Sequence, residues 1–197
     1  MKHEIILSGF GGQGILFAGN LLALAGMLQG LKVSFLPVYG PEMRGGTCHC
    51  TVILSNKEIA SPLVYNPSYL LLFNLPSFLK FMPRLRKGGL ALVNSDLVKR
   101  EEISSFEKIV KGRKILWLPF NTWAEEVGMP LALNICALGA FNRVLNLFSE
   151  EIFLEALKEL LSSSKIHLLE ANLKAYRKGF FEVEASRGKQ ISGIHHK

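Results

Sequence analysis

The chain has 197 residues, 49% of them hydrophobic and 20% charged, with a formal net charge of +7. That length suits a single domain burying about 70% of its unfolded surface, and that composition excludes a disordered chain. The basic balance points to an anionic partner, whether a phosphate-bearing cofactor, an acidic protein or nucleic acid.

Residues 4–8 (Glu-Ile-Ile-Leu-Ser) read as a short buried strand that runs into glycine. Gly9, Gly11 and Gly14 then satisfy the GxGxxG spacing, with Gly12 and Gln13 between them. Apolar residues at helical spacing follow from Gly14 to Leu28, and Gly30 supplies a stop. Residues 32–38 form a second strand whose Pro37 marks an edge or an exit. These first forty residues predict a strand–turn–helix–strand unit with parallel strands and a right-handed crossover.

Next comes Gly40-Pro41-Glu42-Met43-Arg44-Gly45-Gly46, which the topology brings toward the first glycine turn. Residues 47–54 alternate as a strand, with Cys48, Cys50, Val52 and Leu54 on one side and Thr47, His49, Thr51 and Ile53 on the other. Asn56-Lys57 reads as a hairpin turn, with a return strand beginning at Ile59. Further strands are expected at 69–73, 90–93 and 115–118, and helices at 75–82, 101–111 and 122–127. Beyond Met129-Pro130 the chain reads as helical over 134–146, 150–161 and 165–180, with Ser149 as an N-cap ahead of Glu150 and Glu151. The expected architecture is three-layer α/β/α, with a mixed, mainly parallel sheet and a helical C-terminal third. One domain covers residues 1–185, and 186–197 are expected to form a mobile polar tail.

A glycine turn between strand and helix lets backbone N–H groups approach an anion at the helix N-terminus. A dinucleotide site also needs an acid near the end of the second strand to hold the ribose. Here that region is Phe35-Leu36-Pro37-Val38-Tyr39, and the next acid is Glu42. A stand-alone nicotinamide or flavin enzyme is therefore the weaker alternative. A basic nucleic-acid-binding domain is weaker still. The clusters at Arg84–Lys87 and Lys111–Lys114 carry no interleaved aromatics, and no nucleic-acid-binding motif is present. Arg44, followed by two glycines, can reach phosphate or carboxylate, and Glu42 can orient it. The three cysteines, an odd number, fit a reducing cytoplasm rather than a disulfide framework, and no stretch is apolar enough to span a membrane.

The ordered set Gly9-Phe10-Gly11-Gly12-Gln13-Gly14, then Tyr39-Gly40-Pro41-Glu42-Met43-Arg44-Gly45-Gly46-Thr47, then Ser55, Ile59, Ser61 and Pro62, then Lys87-Gly88-Gly89 and the Asn134–Ala140 helix, resembles the gamma subunit of 2-oxoacid:ferredoxin oxidoreductases. The segment before Gly45-Gly46 is most similar to the 2-oxoglutarate and branched-chain types. The resemblance implies a subunit of a complex that converts a 2-oxoacid, coenzyme A and oxidised ferredoxin into acyl-CoA, carbon dioxide and reduced ferredoxin. It implies alpha, beta and ferredoxin-like delta partner chains, with thiamine diphosphate and an iron–sulfur cluster on those partners. This chain would hold no cofactor firmly and supply no catalytic residue. Gly9, Gly11, Gly12, Gln13, Gly14, Glu42, Arg44, Gly45, Gly46 and Thr47 are the candidate residues for contacting coenzyme A or the partner that holds it. The sequence lacks the four-cysteine run of a ferredoxin-type cluster.

Overall fold

The computed structural model describes residues 1–38 and 47–192. Six strands form one sheet: β1 (Lys2–Phe10), β2 (Lys32–Val38), β3 (Thr47–Ser55), β4 (Tyr69–Leu72), β5 (Leu90–Asn94) and β6 (Lys114–Leu118). Their spatial order is β2-β3-β1-β4-β5-β6. β4 is parallel to β1 and to β5, and β5 to β6, whereas β3 runs antiparallel to both of its neighbours, β1 and β2. The sheet is thus mixed and mainly parallel, as expected.

Helices cover both faces. On one side lie α1 (Ile15–Leu28), α4 (Phe120–Glu126), α5 (Leu133–Leu145), α6 (Glu150–Leu160) and α7 (Leu169–Ser192), packed with Ile5, Leu7, Cys50, Val52 and Leu54. On the other lie α2 (Leu75–Phe81) and α3 (Phe106–Val110), packed with Ile6, Ile53, Leu70 and Leu72. Burial on both faces explains why β1 and β4 read as unbroken apolar runs. Among the described residues no helix is long and apolar enough to cross a membrane.

Several expectations need correction. β2 does not neighbour β1, because β3 is inserted between them. The return strand at Ile59 is absent, and residues 56–68 form a loop. β3 already has a ladder on each side, so a returning strand finds no free edge to pair with. The helix expected over 101–111 is broken into a 3-10 turn at Arg100–Glu102 and the short α3, which follows Ser105 at φ 57°. The final helix opens with a 3-10 stretch, Ser163–Leu168, and α7 continues through Ser192 into the segment expected as a tail. Ser149 caps α6 as read, accepting from the Ile152 amide.

The C-terminal helices lock together by backbone contact. A Cβ at Gly139 would fall on the Tyr176 carbonyl oxygen, and one at Gly179 on the Cys136 carbonyl oxygen. Both neighbours are backbone, so neither can swing aside. Beside this crossing, buried Asn142 donates to the Phe148 carbonyl (2.8 Å) and the Tyr176 hydroxyl (2.7 Å) and accepts from the Leu147 and Phe148 amides. Gly179→Ala must force α5 and α7 apart. A loss of about 3 kcal/mol is expected, read as a lower urea midpoint with an unchanged slope.

Candidate functional site at the carboxyl edge of the sheet

β1, β4, β5 and β6 all end at one edge, and β2, antiparallel to β3 like β1, ends there too. From β1 the chain crosses outward to β2, whereas β4 leads the other way to β5 and β6. The strand order therefore reverses between β1 and β4. At such a switch point the loops diverge and leave a crevice beyond the strand ends.

The glycine turn follows β1 directly at this edge. Gly12 and Gly14 adopt φ of 92° and 68°, which L-residues with side chains rarely take. Gly9 serves a different need, since a Cβ there would lie 2.5 Å from Gln13 Oε1 and 2.8 Å from Ile15 Cδ1. Gln13 closes the turn on itself. Its side-chain oxygen accepts from the Phe10 amide (2.6 Å), and its own amide donates to the Phe10 carbonyl (3.3 Å). Only the NH2 end of Gln13 is left for a ligand, a narrower role than its sequence position suggests. Gly11 and Gly12 are exposed. α1 starts directly after the turn with no side-chain cap and no acid in its first turn. A helix start of this kind leaves N–H groups and the positive dipole end open to an anion.

A residue distant in sequence braces the turn from below. Asn134, at the start of α5, donates from Nδ2 to the Gly14 carbonyl (3.0 Å). Gly14 must lack a side chain here as well, because a Cβ would collide with the Asn134 amide. Beneath the same edge lies a small buried polar cluster. Ser8 Oγ bonds Ser77 Oγ (2.9 Å) and donates to the Cys48 carbonyl (3.2 Å), while Asn74 caps α2 through the Ser77 amide (2.9 Å). Asn74 Nδ2 is buried with no hydrogen-bond partner among the described residues.

Thr47 pairs in register with Phe10, and Val38 pairs with His49, which in turn pairs with Ser8. Both anchors of the second glycine segment therefore stand at the edge that carries the first. Glu42, Arg44, Gly45 and Gly46 themselves, and the Thr47 side chain, lie outside the described residues. Of the candidate residues, Gly9, Gly11, Gly12, Gln13 and Gly14 come together in one turn. Asn134, Ser8, Ser77 and Asn74 were missed. Asn74 ahead of Leu75-Pro76 does carry an N-cap signal, but nothing local in the sequence marks Asn134 as the brace of a turn 120 residues away.

The cysteines behave as core. Burial pushes the Cys50 and Cys136 thiols up to about 12 and raises Cys48 as well. Thiols held protonated are poor ligands and poor nucleophiles. His49 faces the other side of β3, its ring 4.9 Å from that of Phe81. Among the described residues no group of three or more His, Cys, Asp or Glu side chains is placed to hold a metal.

Comparison with known proteins gives a consistent result. The family model described as "pyruvate ferredoxin/flavodoxin oxidoreductase" matches residues 4–182. The 2-oxoglutarate synthase subunit KorC of Methanocaldococcus jannaschii is 37% identical over 182 residues, covering 91% of this chain and 93% of that protein. The keto/oxoacid ferredoxin oxidoreductase gamma subunit of Geobacter sulfurreducens superposes with a TM-score of 0.76 at 30% identity, over 93% of this chain and 99% of that one. The 2-oxoglutarate:ferredoxin oxidoreductase of Magnetococcus marinus, solved with 2-oxoglutarate, coenzyme A and succinyl-CoA bound, matches with a TM-score of 0.80 at 23% identity. That match covers 93% of this chain and 31% of the larger one, and at this identity it speaks to the fold.

The buried acids set the alkaline limit of the fold. Cys50, Cys136 and Tyr176 all have pKa values raised to about 12, chiefly by burial. The fold holds their neutral forms, so their contribution is complete below the ordinary values of about 9 and 10 and is lost as pH rises through 12. The urea midpoint is expected to stay level from neutral pH to about 9 and to fall steadily above it.

Proposed function

We propose, from the premise that the chain belongs to the pyruvate ferredoxin/flavodoxin oxidoreductase family as a gamma-type subunit of a 2-oxoacid:ferredoxin oxidoreductase, that its glycine turn receives the phosphates of coenzyme A in the assembled enzyme. The observation that carries this reading is the open start of α1. The helix has no cap and no acid there, it is reached through two exposed glycines, and it starts at the edge where the strand order reverses. A phosphate at that place gains backbone donors that are already oriented and a favourable dipole. The second glycine segment starts and ends at the same edge. Arg44 would add a bidentate charge-assisted contact, with Glu42 holding the guanidinium in orientation.

On this reading the 2-oxoacid is oxidised at a site built with partner chains. Thiamine diphosphate and an iron–sulfur cluster supply the decarboxylation and electron-transfer chemistry from those partners. The described residues of this chain offer binding and positioning. Its buried thiols stay protonated at neutral pH, and Gln13 brings an amide donor rather than an acid or base. The similarity to a 2-oxoglutarate synthase subunit makes 2-oxoglutarate the first substrate to assay. A partner chain bearing on the same edge is favoured by two exposed apolar side chains, Phe10 at 37% and Leu131 at 83%.

In the reconstituted complex, Arg44→Ala is expected to raise the KM for coenzyme A by about tenfold or more, the loss of a bidentate charge-assisted contact. The KM for the 2-oxoacid should hold. Gly12→Val acts on the backbone alone, because nothing lies within 4 Å of a Cβ there while φ stays at +92°. It should raise the same constant. If both variants keep the parent KM for coenzyme A, the turn braces a partner chain instead.

A further inference from the structure

The two basic runs at Arg84–Lys87 and Lys111–Lys114 meet in the structure, at the edge opposite the glycine turn. β5 and β6 are parallel neighbours with Leu90 opposite Lys114, so the turns that precede them lie side by side. The Gly88 amide donates to the Gly112 carbonyl (2.7 Å) and the Lys114 amide to the Gly89 carbonyl (2.9 Å). Each turn passes through a glycine at positive φ, Gly88 at 74° and Gly112 at 73°. The juxtaposition is therefore fixed by backbone pairing.

Two of the cations hold this edge together. The Arg113 guanidinium donates to the carbonyls of Leu85 (2.6 Å), Ile109 (2.7 Å) and Pro83 (2.9 Å), and that of Arg84 to Val64 (2.7 Å) and Tyr65 (3.2 Å). All five acceptors are neutral, so neither charge is cancelled. Arg86, Lys87, Lys111 and Lys114 are exposed, and none of the four forms a salt bridge among the described residues. Arg86 is felt inward as a minor influence: the pKa of His3 is lowered first by burial, then by the Met1 ammonium and last by Arg86.

Exposed charge of one sign on a rigid frame attracts an oppositely charged surface over distance and speeds encounter. Permanent interfaces are built differently, since their cores are depleted in charge and in lysine especially. The composition of this edge suits a partner that binds and leaves. Nucleic acid is the poorer fit. Single strands need a run of exposed stacking aromatics along a groove, and among the described residues Tyr65, 70% exposed, is the single exposed aromatic beside the cations here. Duplex DNA is read by a helix or ribbon inserted in its groove, whereas this edge offers two tight turns.

We propose that this edge is the docking face for a carboxylate-rich protein that associates transiently, its carboxylates meeting Arg86, Lys87, Lys111 and Lys114. The face is separate from the coenzyme A site, and it rests on the family assignment only for the choice of ferredoxin as probe.

The test uses the reconstituted complex carrying R86E/K87E/K111E/K114E, with ferredoxin binding measured directly by surface plasmon resonance. The Kd for ferredoxin is expected to rise at least tenfold at about 20 mM salt, with the difference shrinking toward about 300 mM as charge is screened. Turnover of the 2-oxoacid with a small one-electron dye should be unchanged. An unmoved Kd overturns the proposal. So does a folded variant that no longer enters the complex, which would make the face a permanent interface. Salt-steep binding of RNA by the parent complex, with ferredoxin binding unmoved, would reassign the face to nucleic acid. Should the fourfold variant not fold by circular dichroism, K87Q/K111Q should weaken ferredoxin binding about threefold, and no change there overturns the proposal. Because binding is read without turnover, failure of the coenzyme A reading would show separately, as an unmoved KM in the turn variants.

Discussion

The flush contact between α5 and α7 is the constraint from which the site follows. Gly139 and Gly179 let each helix rest on the backbone of the other, and no side chain at either crossing can rotate to make room for a methyl group. Packing interiors tolerate small shifts, but not a wedge between two carbonyl-bearing backbones. With α5 seated at that depth, its first turn places Asn134 beneath Gly14, where the side-chain amide bonds the Gly14 carbonyl. That carbonyl also accepts from the Ala18 amide, so one oxygen ties the glycine turn both to its own helix and to the C-terminal layer. The orientation of the anion-ready helix start is thus set by helices more than a hundred residues away.

The antiparallel β3 does comparable work in the sheet. Inserted between β1 and β2, it returns the chain to the carboxyl edge, so that the segment between β2 and β3 begins and ends beside the first glycine turn. A simple parallel unit would have carried the chain from the end of β2 away through a crossover. The insertion also fills every pairing position on β3, which is why the chain leaves Ser55 as a loop. There the Asn56 amide bonds the Met1 carbonyl and the Lys57 amide the Ser55 hydroxyl.

Local signals carried the sequence reading where the structure is itself local. The strand–glycine–helix order, the alternation through β3, the edge character of Pro37 in β2 and the Ser149 cap are all properties of a few neighbouring residues, and each is found in place. What could not be read was partner choice. Alternation in β3 says that one face is buried, but not which strands flank it. The break at Ser105 depends on a left-handed residue that serine rarely adopts, so a helical pattern ran through it. Asn134 and Asn142 looked like ordinary residues of an apolar helix. One braces a turn and the other satisfies the loop before α6, and both roles exist only in three dimensions.

A chain built this way contributes geometry more than reactive side chains. Around the glycine turn the polar groups on offer are backbone N–H donors and the Gln13 side-chain amide, while the thiols are sealed in the core. Donors of this kind need no change of protonation to act, so their attraction for an anion is constant across the neutral range, and it is strongest where partner chains exclude water. The backbone donors also cannot be removed by truncating a side chain. A Cβ at Gly9, Gly12 or Gly14 disturbs the turn through three different causes: contact with Gln13, backbone conformation, and collision with Asn134. Three separate steric demands thus act on one six-residue loop, two of them at Gly9 and Gly14 of the GxGxxG spacing and the third at Gly12 inside it.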